Sequence, residues 1–199
     1  MIQRTLKTFS FLLLVFFLSG AEKITAQEKA DHLVISRVCL NNHEKSKSWI
    51  EIYNPTDKEL ILERFRLSNV RTINVLPDSI KKEGGIKVGA GEYVVLCADE
   101  NHFNSTYGSI KSVCIKALAH IASGGFLAII TKGTGDAKGT IVRYGKGEYS
   151  SKIAIVAGDQ VVGFSDAGKS YTRKIVKSSN DIIISDFTES SADPGNPNN

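Results

Sequence analysis

Residues Gly163 to Ser170 read Gly-Phe-Ser-Asp-Ala-Gly-Lys-Ser, which satisfies G-x-x-x-x-G-K-S letter for letter. In a phosphate-binding loop, backbone amides cradle the phosphates, Lys169 reaches the terminal ones and Ser170 holds Mg²⁺. That chemistry needs a strand before the loop and a helix after it, because the helix N-terminus helps hold the anion. The residues that follow, Tyr171 to Ile184, are rich in β-branched side chains and read as strand. With 17 glycines in the chain, a chance match is unsurprising, and no nucleotide cofactor is expected. The same stretch falls one glycine short of the nucleophile elbow G-x-S-x-G, with Ala167 in the last place.

The other reactive side chains are dispersed. His32, His43, His102 and His120 show no metal-ligand spacing. Asp99, Glu100 and Asn101 offer oxygen ligands but lack the twelve-residue calcium-loop pattern, so they read as a solvated loop. No catalytic residue and no metal site are assigned. The three cysteines, Cys39, Cys97 and Cys114, lie in apolar runs without a C-x-x-C. If a disulfide forms, Cys97 and Cys114 are the expected pair, on strands flanking one loop and running antiparallel across it. The alternative is that all three are buried thiols.

The elements that must position these groups are short β-type runs between turn signals. Strands are expected near Leu33–Leu40, Ser48–Asn54, Leu60–Leu62, Phe65–Ser68, Gly91–Ala98, Ser112–Ala117, Phe126–Thr131, Thr140–Tyr144, Gln160–Phe164, Tyr171–Ile175 and Ile182–Ser185. No segment sustains a 3.6-residue period, and the stretch Ser112 to Ala122 offers one helical turn at most. Spacing of about ten residues between strands favours a sandwich or barrel.

The stretch Trp49-Ile50-Glu51-Ile52-Tyr53-Asn54-Pro55 shows the alternation most clearly. A two-residue period puts Ile50 and Ile52 on one face, with Trp49, Glu51 and Tyr53 on the other. Asn54 and Pro55 then end the strand, since an Asn side chain bonds backbone two residues on and Pro fixes φ.

This stretch, with its Leu-rich return Leu60 to Asn69, resembles the bacterial lamin-tail domain family. Further matches follow in order: "GAGEYVVLCAD" from Gly89, "SGGFLAIIT" from Ser123 and "GTIVRYG" from Gly139. Gly168-x-Ser170-x-x-Arg173 and Pro194-Gly195-x-x-Asn198 close the series. The resemblance implies an all-β, immunoglobulin-like β-sandwich. It makes Trp49, Glu51, Tyr53, Asn54, Pro55, Ser170, Arg173, Pro194, Gly195 and Asn198 structural residues of the family motif. The chain departs from the pattern at Arg64-Phe65, Gly125, the residues before Tyr144, and Asp193. Relatives of this kind are mostly secreted or surface proteins.

The N-terminus agrees with export. Arg4 and Lys7 precede the apolar run Phe9–Leu18 and then small residues, the form of a secretory signal peptide. The run is shorter than the roughly 20 residues that span a bilayer. Cleavage is expected after Ala21 or Ala26, so the chain divides into a leader, 1–26, and a domain, 27–199. Ala21 stands where a lipoprotein signal places its lipid-bearing cysteine. No membrane insertion is expected after cleavage, and the protein is expected in the periplasm or at the cell surface. The net charge is +4, and outside the leader 22 basic residues face 20 acidic ones. Short pairs such as Lys81-Lys82 and Arg173-Lys174 make no stripe for nucleic acid. The expected role is a non-catalytic binding or adhesion module whose partner is a surface protein or a glycan. Its contacts are expected on the segments Asn69–Ile86 and Asp99–Lys111, with Phe103 and Tyr107 either exposed there or packed inward. A self-associating envelope protein and a hydrolase are the rival readings.

Overall fold

The computed structural model describes residues 28–29, 31–67, 74–121, 124–132, 138–145, 160–162, 164–165, 168–177 and 182–195. The expected leader, 1–26, and Asn198 lie outside them. In chain order the elements are β1 (Glu28–Lys29), β2 (Val34–Cys39), β3 (Trp49–Tyr53), β4 (Leu60–Leu67), α1 (Asp78–Lys82), β5 (Ile86–Val88) and β6 (Tyr93–Cys97). There follow α2 (Glu100–Tyr107), β7 (Ser112–Cys114), β8 (Gly124–Lys132), β9 (Lys138–Gly145), β10 (Gln160–Val162), β11 (Lys169–Lys177) and β12 (Ile182–Ser191). Short 3-10 turns sit at Lys45–Lys47 and Lys116–His120.

The strands form two sheets. One runs β1-β12-β11-β2-β3-β6-β7 and the other β10-β9-β8-β4-β5. Alternation decides what each sheet buries. Ile35, Val38, Ile50, Ile52, Val94 and Leu96 of the first sheet meet Leu60, Leu62, Phe65, Leu127, Ile129 and Val142 of the second in one apolar cluster. This is an all-β sandwich, with a core made by the inner faces of both sheets.

Several expected boundaries move. The strands expected at Leu60–Leu62 and Phe65–Ser68 merge into one, β4, described as far as Leu67 and interrupted by an irregularity between Leu62 and Arg64 against β8; Ser68 lies outside the described residues. The extra residue, Glu63, carries the polar interruption that reads as a gap in the sequence. The expected strand Ser112–Ala117 ends at Cys114, and Lys116–His120 coils into the 3-10 turn. The segment expected as a long loop, Asn69–Ile86, contains α1, and β5 begins at Ile86. Gly85 makes that entry fit: its φ is +125°, and a Cβ there would lie 2.4 Å from the Leu62 carbonyl oxygen. The other expected loop, Asp99–Lys111, contains α2.

Candidate functional site

The expected outer face of β3 is the most informative surface, because all three of its residues are buried. Each has a different cover. Trp49 lies beneath α2, where its ring meets Phe103 edge-on at 6.1 Å and Tyr107 at 5.7 Å. Tyr53 stacks on Tyr93 of β6 at 4.6 Å. Glu51, fully buried between them, accepts the Ser36 hydroxyl at 2.7 Å and the Gly195 backbone N–H. A bulge in β2 supports this. Ile35 pairs with Ile52 and Arg37 with Glu51, so Ser36 is the extra residue. The bulge re-aims the strand locally, and the Ser36 hydroxyl reaches Glu51 there.

The motif's turn is equally occupied. Asn54 Nδ2 donates to the Lys58 carbonyl at 2.7 Å and the Val88 carbonyl at 2.9 Å. Its Oδ1 accepts the Thr56 N–H at 3.0 Å and the Thr56 hydroxyl at 2.7 Å. That satisfies the amide fully and ties the β3–β4 turn to β5, with Pro55 buried inside it.

Farther along the sheet, Ser170 donates to the Ser191 carbonyl at 2.9 Å. The Arg173 guanidinium lies 4.3 Å from the Phe187 ring centroid. Both Ser170 and Arg173 are buried, as is Pro194. Of the expected motif residues, Trp49, Glu51, Tyr53 and Ser170 lie on the outer face of the larger sheet and Asn54 and Pro55 in the turn after β3, whereas Arg173 shares the core-facing side of β11 with Tyr171, beside Phe187. Glu51 and Gly195 bring the first and last motif blocks together.

The G-x-x-x-x-G-K-S letters have another structural use. No helix follows: Gly168 is a turn residue with φ +78°, and β11 begins at Lys169. Lys169 Nζ pairs with Glu189 across the β11–β12 ladder. Gly163, Asp166 and Ala167 lie outside the described residues.

The recess that stands out lies at the Trp49 end of β3, beneath α2. It encloses about 260 Å³. Trp49, Phe103 and Tyr107 supply aromatic surface, Cys39 and Cys97 border it, and Lys47, His102 and Thr106 line it beside Asp99. Phe103 is buried and Tyr107 half-buried, so both pack inward. Helix α2 holds this roof in place by local means. The Asp99 side chain accepts the His102 N–H at 3.0 Å as N-cap, and Gly108, with φ +81°, ends the helix. Phe103 and Tyr107, four residues apart, then share the face that meets Trp49. Asp99 is therefore a capping residue, and Lys47 bonds Glu44 at 2.7 Å.

Burial pushes the Cys39 thiol up to about 12, with Ser165 pulling the other way. Burial and then neighbouring Cys114 push Cys97 up to about 12. Both thiols are neutral at physiological pH, which is the unreactive form. Burial likewise raises the Tyr107 phenol, against a lowering from the Trp49 indole.

Cys97 and Cys114 are register partners, as a pairing requires, but β6 and β7 run parallel rather than antiparallel. All three cysteines are free thiols in the structure. Among the described residues, no three His, Cys, Asp or Glu side chains gather to hold a metal ion, and no helix is long and apolar enough to cross a membrane.

The sequence reading missed α2 and with it the recess. Its signals were present: Asp99 three residues before His102, Gly108 at the far end, and Phe103 and Tyr107 at helical spacing. No family model, curated protein or solved structure matches the chain.

Proposed function

We propose that this chain is an exported, non-catalytic binding module with an immunoglobulin-like sandwich of the lamin-tail type, engaging a protein of the cell envelope through the recess under α2. The observation that carries the reading is the recess itself: about 260 Å³, walled by three aromatic rings and rimmed by His102 and Thr106. Small-molecule sites run from about 300 to 1,000 Å³, so this one is sized for a single projecting side chain. An aromatic or aliphatic anchor in a desolvated pocket is how protein interfaces concentrate their binding energy.

The chemistry around the recess favours holding over reacting. Its two bordering thiols are kept neutral by burial. Asp99 caps a helix and Lys47 bonds Glu44. The polar motif residues Glu51 and Asn54 hold the tail and the turn together. The Arg4/Lys7 flank and the Phe9–Leu18 core support removal of a leader and placement in the periplasm or at the cell surface, without nucleic acid and without membrane insertion.

The test compares residues 27–199 with their Thr106→Trp variant against fractionated envelope proteins and a glycan array. Thr106 is exposed, so the bulkier ring plugs the mouth without entering the core. Binding of an envelope protein by the parent and its loss in the variant supports the reading. Binding of glycans alone, equal binding by both proteins, or self-association in sedimentation as the sole interaction contradicts it.

A further inference from the structure

The three cysteines and Trp49 form one row across four strands. Cys39 pairs with Trp49, Trp49 with Cys97, and Cys97 with Cys114. Neighbouring strands lie about 4.8 Å apart, which sets the distances along the row. Cys39 and Cys97 are two spacings apart, roughly 9.6 Å, with the indole between them. That exceeds the reach of about 7 Å that a disulfide allows between Cα atoms. Cys97 and Cys114 are one spacing apart, inside the 4.4–6.8 Å window. As register partners, they present their side chains on the same face of the sheet.

The surroundings distinguish the two thiols. Cys97 is buried and its Sγ lies 3.7 Å from the Val113 carbonyl oxygen. Cys114 is half-buried on β7, a three-residue strand at the sheet edge, with its Sγ 3.5 Å from the Ala98 carbonyl oxygen. An edge strand with one neighbour can shift by the small amount that closing a bond needs. Between the two cysteines lies all of α2.

We propose that Cys97 and Cys114 are a redox-sensitive pair that closes across the parallel β6–β7 edge, fastening both ends of the segment that carries α2. The oxidant is a small-molecule disulfide. The Cys114 thiolate attacks one of its sulfurs, forming a mixed disulfide and expelling one thiol. Cys97 then gives up its proton and attacks the Cys114 sulfur, expelling the second thiol. Two protein thiols lose two electrons, and one disulfide gains them to become two thiols. Cys97 suits the second role by position: it is buried away from the external disulfide, yet it is the register partner of half-buried Cys114, one strand spacing from the mixed disulfide. Cys39, behind Trp49, stays reduced.

The experiment incubates folded, reduced residues 27–199 with oxidised glutathione, alkylates the remaining thiols after denaturation, and maps the peptides by mass spectrometry. The expected product joins Cys97 to Cys114 and leaves Cys39 alkylated. In Cys97→Ser, Cys114 is expected to accumulate as the glutathione mixed disulfide. In Cys114→Ser, Cys97 is expected to remain a free thiol. Amide exchange in α2 is expected to slow by at least about tenfold on oxidation, since the link constrains the open segment. A linkage to Cys39, three alkylatable thiols after prolonged exposure, or a mixed disulfide on Cys97 in Cys114→Ser overturns the proposal.

Discussion

Glu51 and Gly195 lie 144 positions apart in the chain and are joined by a hydrogen bond from the Gly195 backbone N–H to the buried Glu51 carboxylate. The contact fastens the C-terminal tail across the outer face of the larger sheet. Ser36 supplies the second bond to the same side chain.

Glu51→Ala is expected to cost about 3 kcal/mol, since it removes charge-assisted bonds and strands two donors in a buried place. Glu51→Gln should cost less than half as much, because the Ser36 hydroxyl can turn to accept from the new amide. Deleting residues 194–199 should shrink the effect of Glu51→Ala by at least about 1 kcal/mol in a double-mutant cycle. Urea denaturation of the four proteins measures this, and strictly additive costs would mean that Glu51 does not hold the tail.

Asn54 is the corresponding anchor of the β3–β4 turn, with four bonds from one buried amide. Asn54→Ala is expected to cost about 3 kcal/mol by leaving those groups unpaired. Asn54→Asp aims a carboxyl at the Lys58 and Val88 carbonyl oxygens, which disfavours its charged form in the fold. The folded variant then binds more protons than the unfolded chain, so its deficit relative to the parent grows as pH rises above about 4. Urea midpoints at pH 4 and pH 7 check the sign.

Alkaline solution should weaken the parent protein through its buried thiols. Cys39 and Cys97 are each raised from about 9 to about 12. The folded state therefore retains protons that the unfolded chain releases, and the stabilisation is whole below pH 9 and lost as pH rises toward 12. Each group contributes a slope of up to about 1.4 kcal/mol per pH unit in that window. Under reducing conditions, Cys39→Ala should show a shallower fall in urea midpoint between pH 8.5 and 10.5 than the parent. An equally steep fall would place the linkage elsewhere.

Lys169→Ala should change stability by less than about 0.5 kcal/mol, because its ion pair with Glu189 is half-exposed. Calorimetry with ATP and Mg²⁺ should detect no binding by either protein. Binding that Lys169→Ala abolishes would restore the phosphate-loop reading of Gly163 to Ser170.

How much of this was visible in the letters depended on how local the signal was. Ile50 and Ile52 inward, with Trp49, Glu51 and Tyr53 outward, follows from a two-residue period and is what the sheet displays. Asn54 as a turn anchor follows from its bonding habit. The cover over the outer face could not be read that way, because Glu51 meets Gly195 only through the order of strands in the sheet. Helix α2 failed for another reason: eight polar-rich residues give too short a period to stand out, and only its cap at Asp99 and its stop at Gly108 mark it. The parallel pairing of β6 and β7 was hidden too, since α2 carries the chain back to the same end of the sheet before β7 begins.

The central claim is that the recess under α2 is the contact surface, and cross-linking inside the native envelope tests it most directly. A photoreactive residue is placed at His102 on the rim, and at exposed Asp57 beyond the far end of β3 as control. The predicted result is a discrete envelope protein joined to the His102 probe, absent from the Asp57 probe, and lost when Thr106→Trp is added to the His102 probe in a chain that circular dichroism shows to be folded. Equal capture from Asp57, or capture from His102 that Thr106→Trp leaves unchanged, would contradict it.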